Sequence, residues 1–153
     1  MENSSELKLT QKWIKFIADG SVGHEIEASS TKGITVVKAH KGFILCDFTI
    51  HNGLLDQNGN WYVGDIATLV DTIGALAAYS FTSFHHITLD FTISYYSTAK
   101  LQEEIGVEAK AKGKKDGLTS LIVEVRKKEN GELVALGKLW MVRRKERHQE
   151  SKL

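Results

Sequence analysis

The chain has 153 residues, the usual size of one domain, and 25% of them are charged, a composition that excludes an intrinsically disordered chain. Twenty Lys and Arg residues against nineteen Asp and Glu residues leave a formal net charge of +1. This balance argues against a nucleic-acid-binding protein, because such proteins carry a clear basic excess. The single cysteine excludes an intramolecular disulfide and a multi-cysteine zinc site, so we expect a reducing compartment.

The first third of the chain predicts one helix and one strand. Leu7 to Ala18 places large apolar side chains among lysines, the pattern of an amphipathic helix of modest quality. Residues 1–33 are therefore expected to form a helix and a connecting segment ahead of the main domain, 34–143. Gly42 to Ile50 predicts a strand, with Cys46 on its apolar face as a small core residue.

A long apolar segment begins at Val63, and from Ile66 to Phe84 its only charged residue is Asp71. Several threonines and serines make this segment too polar for a membrane span, so we predict a buried helix that is apolar nearly all round. In helical phase, one face carries the large residues Ile66, Leu69, Val70, Ile73, Leu76 and Ala77. The opposite face carries Ala67, Thr68, Asp71, Gly74, Ala75 and Ala78. Such small residues would let another backbone, a partner subunit or a ligand approach closely, so the carboxylate points at whatever comes near.

Four strands are predicted after this helix, because apolar and polar residues alternate along four segments. The segments are Ile87 to Tyr96, Glu104 to Lys112, Thr119 to Arg126, and Leu133 to Val142. Asn130-Gly131 supplies a hairpin turn before the last of them. A series of strands that follows one helix predicts an antiparallel sheet packed on that helix, the α+β class.

The motifs of metal-dependent and nucleophilic enzymes are missing from the sequence. Its six histidines show no HxH or HExxH spacing, and there is no GxSxG or GxxxxGK[ST] motif. His85-His86 is interpreted as part of a surface turn. We therefore predict no metal site.

Asp71 is the strongest candidate for chemistry. A lone carboxylate in an apolar segment needs hydrogen-bond partners when it loses water. Two interpretations stay open: Asp71 ties the helix to a loop, or it acts as a general base or nucleophile in a site covered by another subunit. Gly64 favours the second, because unpaired N–H groups at a helix start suit a developing oxyanion and glycine lets a carbonyl come close.

Two further segments carry concentrated charge. AKAKGKKDG places Lys110, Lys112, Lys114 and Lys115 around an expected turn at Gly113, which predicts either a solvated hairpin end or a phosphate-binding site.

Residues 144–153 form a charged tail that ends in Ser151-Lys152-Leu153. This tripeptide at a free carboxyl end is a peroxisomal address, so we expect a peroxisomal location and a peroxisomal import receptor as a partner.

Three segments, GNWYVGDIATLVDTIGALAA, ITLDFTISYYSTAK and GELVALGKLW, resemble the hotdog-fold thioesterases, in their phenylacetate-type and acyl-CoA thioesterase 13-like branch. The resemblance covers roughly Gly42 to Val142. It implies a hotdog fold, in which an antiparallel β-sheet wraps around one long central helix, and a homodimer or homotetramer with active sites between subunits. It further implies an acyl-CoA thioesterase that converts a fatty-acyl- or aryl-CoA to a free acid and coenzyme A without a cofactor.

The resemblance also implies roles for single residues. Asp71 falls on the family's general base or nucleophile, and Thr88 on a serine that positions the attacking water. Val63 and Gly64 fall on a glycine pair, of which the first N–H polarises the thioester carbonyl. Asp56 falls near an asparagine that assists at the carbonyl. The family's coenzyme A-binding turn and its lysines correspond to Lys112, Gly113, Lys114, Lys115, Asp116, Gly117 and Leu118.

Substrate contacts are also implied for Asp90 and Tyr95, and Tyr62 stands where the family has a histidine. Because Tyr62 removes an imidazole beside the thioester, an alternative is a catalytically weakened hotdog protein that binds acyl-CoA or a carboxylic acid. A hotdog enoyl-CoA hydratase is less favoured, since it requires a histidine where Leu76 stands. A scaffold role has no specific support in the sequence.

Overall fold

The computed structural model describes residues 30–145 together with Lys8, Gln11 and Lys12. Within this part the chain forms a short 3-10 helix, Asn52–Leu54, one long helix, α1, Val63–Thr82, and six strands. The strands are β1, Thr35–His40; β2, Phe43–Thr49; β3, His86–Tyr95; β4, Glu104–Lys115; β5, Leu118–Lys127; and β6, Leu133–Arg143. Most of the predicted Leu7 to Ala18 helix lies outside the described residues, as do Ser151, Lys152 and Leu153.

The strands form one antiparallel sheet in the order β1-β2-β4-β5-β6-β3. Helix α1 packs against β2, β3, β4, β5 and β6, so the sheet curves around a single central helix. The α+β prediction is confirmed, and this is the arrangement that the resemblance implies. Strands β1 and β3 are the edges of the sheet.

The large-residue face of α1 forms the centre of the core, as predicted: Ile66, Leu69, Val70, Ile73, Leu76 and Ala77 are buried. Two residues of the small-residue face, Gly74 and Ala78, are buried as well. A Cβ atom on Gly74 would lie 3.4 Å from the Leu139 side chain and 3.5 Å from that of Val123. These small residues therefore let the sheet approach the helix. The remaining residues of that face are partly exposed: Ala67, Thr68, Asp71 and Ala75.

Strand β1 was not predicted, and the physical reason is its position at the edge. Its sequence, TVVKAH, lacks a regular alternation of apolar and polar residues. Its register with β2 shifts between Val36 and Lys38, so a bulge leaves Val37 56% exposed. An edge strand with a bulge buries too few side chains to leave a clear pattern in the sequence.

The hairpin between β4 and β5 turns at Asp116-Gly117, and the prediction of a turn at Gly113 is wrong. Both turn residues have positive φ, 52° and 77°, which is typical of a type I′ two-residue hairpin. Gly113 lies within β4, where the pairing with β5 shifts between Ala111 and Gly113. This bulge changes which face of the sheet the following lysines occupy.

Candidate active site

Asp71 and Thr88 lie together on the open side of α1. The Thr88 hydroxyl donates a hydrogen bond to Asp71 Oδ1 over 2.5 Å, and both residues are half-buried. Thr88 pairs with the buried Met141 of the neighbouring strand β6. Paired residues share a face of the sheet, so the Thr88 side chain lies on the helix side. The carboxylate thus has the hydrogen-bond partner that its position requires, and its Oδ2 atom remains available for chemistry.

A groove of about 330 Å³ begins at this pair. It runs along α1 past Ala75 to Tyr79 and His85, roughly 12 Å from Asp71 at the rise of an α-helix. Sequence reasoning did not include Tyr79 in the site, although Asp71, Ala75 and Tyr79 follow the i, i+4, i+8 spacing of one helix face. The groove combines apolar and hydrogen-bonding side chains and is open to solvent.

His86 forms part of the groove wall and is not the surface residue that the sequence predicted. Its Nδ1 lies 2.7 Å from the Phe84 carbonyl oxygen, and its Nε2 lies 3.1 Å from the hydroxyl of the buried Thr119. Burial is the largest influence on this ring and lowers the pKa of His86 below its ordinary value. Because a carbonyl only accepts, Nδ1 carries the proton and Nε2 accepts from Thr119. His85, by contrast, is exposed.

The start of α1 presents backbone donors. Tyr62 is the N-cap but its side chain makes no capping hydrogen bond, while Asp65 N and Ile66 N both donate to the Tyr62 carbonyl. Within the described part of the chain, the N–H groups of Val63 and Gly64 donate to no acceptor. A Cβ atom on Gly64 would lie 2.5 Å from Tyr62 Cε1, so the tyrosine ring covers Gly64 closely.

Two predicted site residues are placed elsewhere. Asp56 Oδ1 accepts from Asn58 N at 2.8 Å and from Asn60 N at 3.0 Å, so this carboxylate stabilises a turn, and its role at the thioester carbonyl stays a prediction. Asp90 pairs with Trp140 after a register shift that follows Thr88, and it therefore lies on the outer face of the sheet, away from Asp71. Asp90 does not line the groove of its own chain, and its contact with substrate stays a prediction.

The catalytic candidates form two groups that do not meet within one chain. Asp71 with Thr88 is one group, and Val63 with Gly64 is the other. Asp71 and Gly64 belong to the same rigid helix, and the rise of an α-helix separates them by roughly 10 Å. A single small carbonyl group cannot contact both groups of one chain at once.

The lysine cluster is divided between the two faces of the sheet. Lys114 pairs with the buried Thr119 and so faces the helix, where its Nζ lies 5.3 Å from the centre of the Phe81 ring. Alternation along the strands places Lys110 and Lys115 on the outer face. Of these three lysines, Lys114 lies on the same face as the groove.

Two features are absent among the described residues. No group of three or more His, Cys, Asp or Glu side chains there is placed to hold a metal ion. Likewise, none of the helices in that part combines the length and hydropathy that a membrane crossing requires.

Comparisons with known proteins agree with this geometry. Human acyl-coenzyme A thioesterase 13 is 30% identical over 106 residues, which cover 69% of this chain and 76% of the human protein. The crystal structure of zebrafish thioesterase superfamily member 2 matches with a TM-score of 0.79 and 23% identity, over 90% of this chain and 98% of that one. A Streptococcus pneumoniae thioesterase protein solved with coenzyme A matches with a TM-score of 0.73 and 20% identity, again over 90% and 98%.

No protein-family model matches the chain. The central helix, the antiparallel sheet in this order, and the identity and coverage of the human relative nevertheless agree with one another. The chain belongs to the hotdog-fold thioesterases, in the acyl-coenzyme A thioesterase 13 family.

Proposed function

We propose that this protein is an acyl-CoA thioesterase, which hydrolyses a fatty-acyl- or aryl-CoA to a free acid and coenzyme A. The observation that carries the proposal is the Asp71 carboxylate, held by the Thr88 hydroxyl at the mouth of the groove. The human relative is named an acyl-coenzyme A thioesterase, and one similar structure was solved with coenzyme A. Both agree with a site that acts on a coenzyme A ester.

In the proposed reaction Asp71 acts as a general base. Thr88 holds Oδ1, and Oδ2 takes a proton from a water molecule whose oxygen adds to the thioester carbon. The charge that develops on the carbonyl oxygen is stabilised by the N–H groups of Val63 and Gly64. The C–S bond then breaks, and the coenzyme A sulfur leaves and receives the proton from Asp71. Direct attack by Asp71 on the thioester is the alternative, with water cleaving the resulting anhydride.

We propose that each site combines two subunits. Asp71 and the start of its own helix are too far apart to act on one carbonyl, so a second copy must supply the other group. Strand β3 offers the contact, because it is an edge strand of the sheet and its Ile87 and Leu89 are 52% and 59% exposed. Pairing of β3 with its copy would give a homodimer, and two such dimers a homotetramer.

Replacement of Asp71 tests the reaction. Asp71→Asn keeps the shape of the side chain but removes its charge, so kcat should fall by roughly a hundredfold or more while KM changes little. Hydrolysis of a panel of acyl-CoAs by both proteins measures this, with the melting temperature as a check on folding. Equal and negligible turnover by both would favour the binding-protein alternative, and an unfolded variant would favour a structural role.

Tyr62→His should leave activity equal or higher.

Mixed subunits test the shared site. Asp71→Asn and Gly64→Val should each be inactive alone, because one lacks the base and the side chain of the other would collide with the Tyr62 ring beside the N–H groups. When the two are refolded together, each mixed dimer regains one intact site, so about a quarter of wild-type activity should return under random pairing of an isologous dimer. No recovery, or a monomer by light scattering at micromolar concentration, would contradict a two-subunit site.

The division of the lysines predicts unequal effects on coenzyme A binding. Lys114→Ala should raise KM for acyl-CoA by roughly two- to fivefold, the scale of one exposed charge contact, and the effect should be largest at low salt. Lys110→Ala is the matched control, because Lys110 lies on the outer face and pairs with Glu108 at 3.7 Å. Neither change should affect hydrolysis of a short N-acetylcysteamine thioester, which lacks the nucleotide; equal losses on both substrates would point to a structural role for Lys114.

We also propose import into peroxisomes through Ser151, Lys152 and Leu153, which lie outside the described residues. The support is the tripeptide alone, which import receptors read at a free carboxyl end. A fluorescent protein fused ahead of residue 1 should accumulate in peroxisomes, and Leu153→Ala should disperse it. An unchanged distribution of the variant would contradict the proposal.

A further inference from the structure

Tyr95 connects the end of β3 to the start of α1. Its hydroxyl donates a hydrogen bond to the Val63 carbonyl oxygen over 3.0 Å. The side chain reaches this oxygen because Tyr95 pairs with the buried Ala135 and so lies on the helix side of the sheet. The resemblance predicted Tyr95 only as a lining residue, whereas the structure gives it a specific backbone partner.

The acceptor of this hydrogen bond belongs to a particular peptide unit. The Val63 carbonyl and the Gly64 N–H share one planar trans amide, in which the two groups point in opposite directions. A donor that holds the carbonyl therefore fixes the direction of the Gly64 N–H. It also polarises the amide, and a polarised amide is a stronger hydrogen-bond donor.

We propose that Tyr95 is a positioning residue for thioester hydrolysis, which aims and strengthens the Gly64 N–H toward the carbonyl oxygen of the substrate. The inference rests on the proposed function, because it assigns Gly64 to that oxygen. Tyr95 itself does not contact the reacting atoms. It acts from the opposite side of the Val63–Gly64 amide.

Two further features agree with this role. The N-cap residue Tyr62 makes no side-chain capping bond, so the Gly64 N–H is not already occupied by a cap. The Tyr95 phenol is also protonated near neutral pH, as a donor to the Val63 carbonyl must be, and burial raises its pKa further.

The first test compares Tyr95→Phe with Tyr96→Phe. Tyr96 is the next residue, is 59% exposed, and its hydroxyl makes no hydrogen bond among the described residues. Loss of one hydrogen bond to the amide should lower kcat of Tyr95→Phe by roughly three- to tenfold, with KM for acyl-CoA and the melting temperature little changed. Tyr96→Phe should match the wild type. An unchanged kcat in Tyr95→Phe would overturn the proposal.

A spectroscopic test separates positioning from structure. The carbonyl stretch of a ¹³C-labelled acyl-CoA, bound to Asp71→Asn so that it persists, should shift to lower frequency than in solution. Adding Tyr95→Phe should reduce that shift. If activity falls but the band stays in place, Tyr95 is only structural and the proposal fails. If the wild type binds acyl-CoA without hydrolysing it, the proposed function fails, and the band in wild type and Tyr95→Phe still decides the assignment of Tyr95.

Discussion

The site depends on one rigid element, the 20-residue helix α1, which carries Asp71 and the N–H groups of Val63 and Gly64 at a fixed separation. Its first turn presents the Val63 and Gly64 N–H groups, and Asp71 lies two turns further along. Because the helix is enclosed by five strands, it cannot bend to bring these groups together. The proposed chemistry therefore requires association, and the exposed apolar edge at β3 is the surface suited to it.

Close packing of helix and sheet keeps this separation fixed. A Cβ atom on Gly137 would overlap Cγ1 of Val70, so glycine lets β6 approach the middle of the helix. At the far end, the Ser80 hydroxyl accepts from Gly42 N at 3.0 Å and donates to the Ala77 carbonyl, which ties the β1–β2 turn to the last turn of α1. None of these contacts involves Asp71 or Thr88, which hydrogen-bond to each other on the partly exposed side of α1.

The sequence predicted what depends on local periodicity, and missed what depends on register. The start of α1 at Val63, its large-residue face and the isolation of Asp71 all follow from spacing along one helix. The bulge in β4 and the shift after Thr88 in β3 cannot be read from alternation, because one extra residue reverses the face of every side chain beyond it. For this reason alternation along the strands does not indicate that Asp90 lies on the outer face of β3, or that Lys114 and Lys115 lie on opposite faces of β4. Tyr95 was expected only as a substrate contact, and its hydrogen bond to the Val63 carbonyl was not predicted, because a contact between a strand end and a distant helix start leaves no sequence pattern.

Tyr62, at the family's histidine position, is compatible with the proposed hydrolysis. A thioester carbonyl gains little resonance stabilisation, so a carboxylate base and backbone N–H donors supply the proton transfer and charge stabilisation that the proposed reaction needs. Neither step requires an imidazole. The Tyr62 ring instead packs over Gly64, while the Tyr95 hydroxyl holds the Val63 carbonyl from the other direction. The two tyrosines thus confine the Val63–Gly64 amide from both sides, and a preorganised amide donor loses less energy to reorganisation as charge develops than a mobile side chain would.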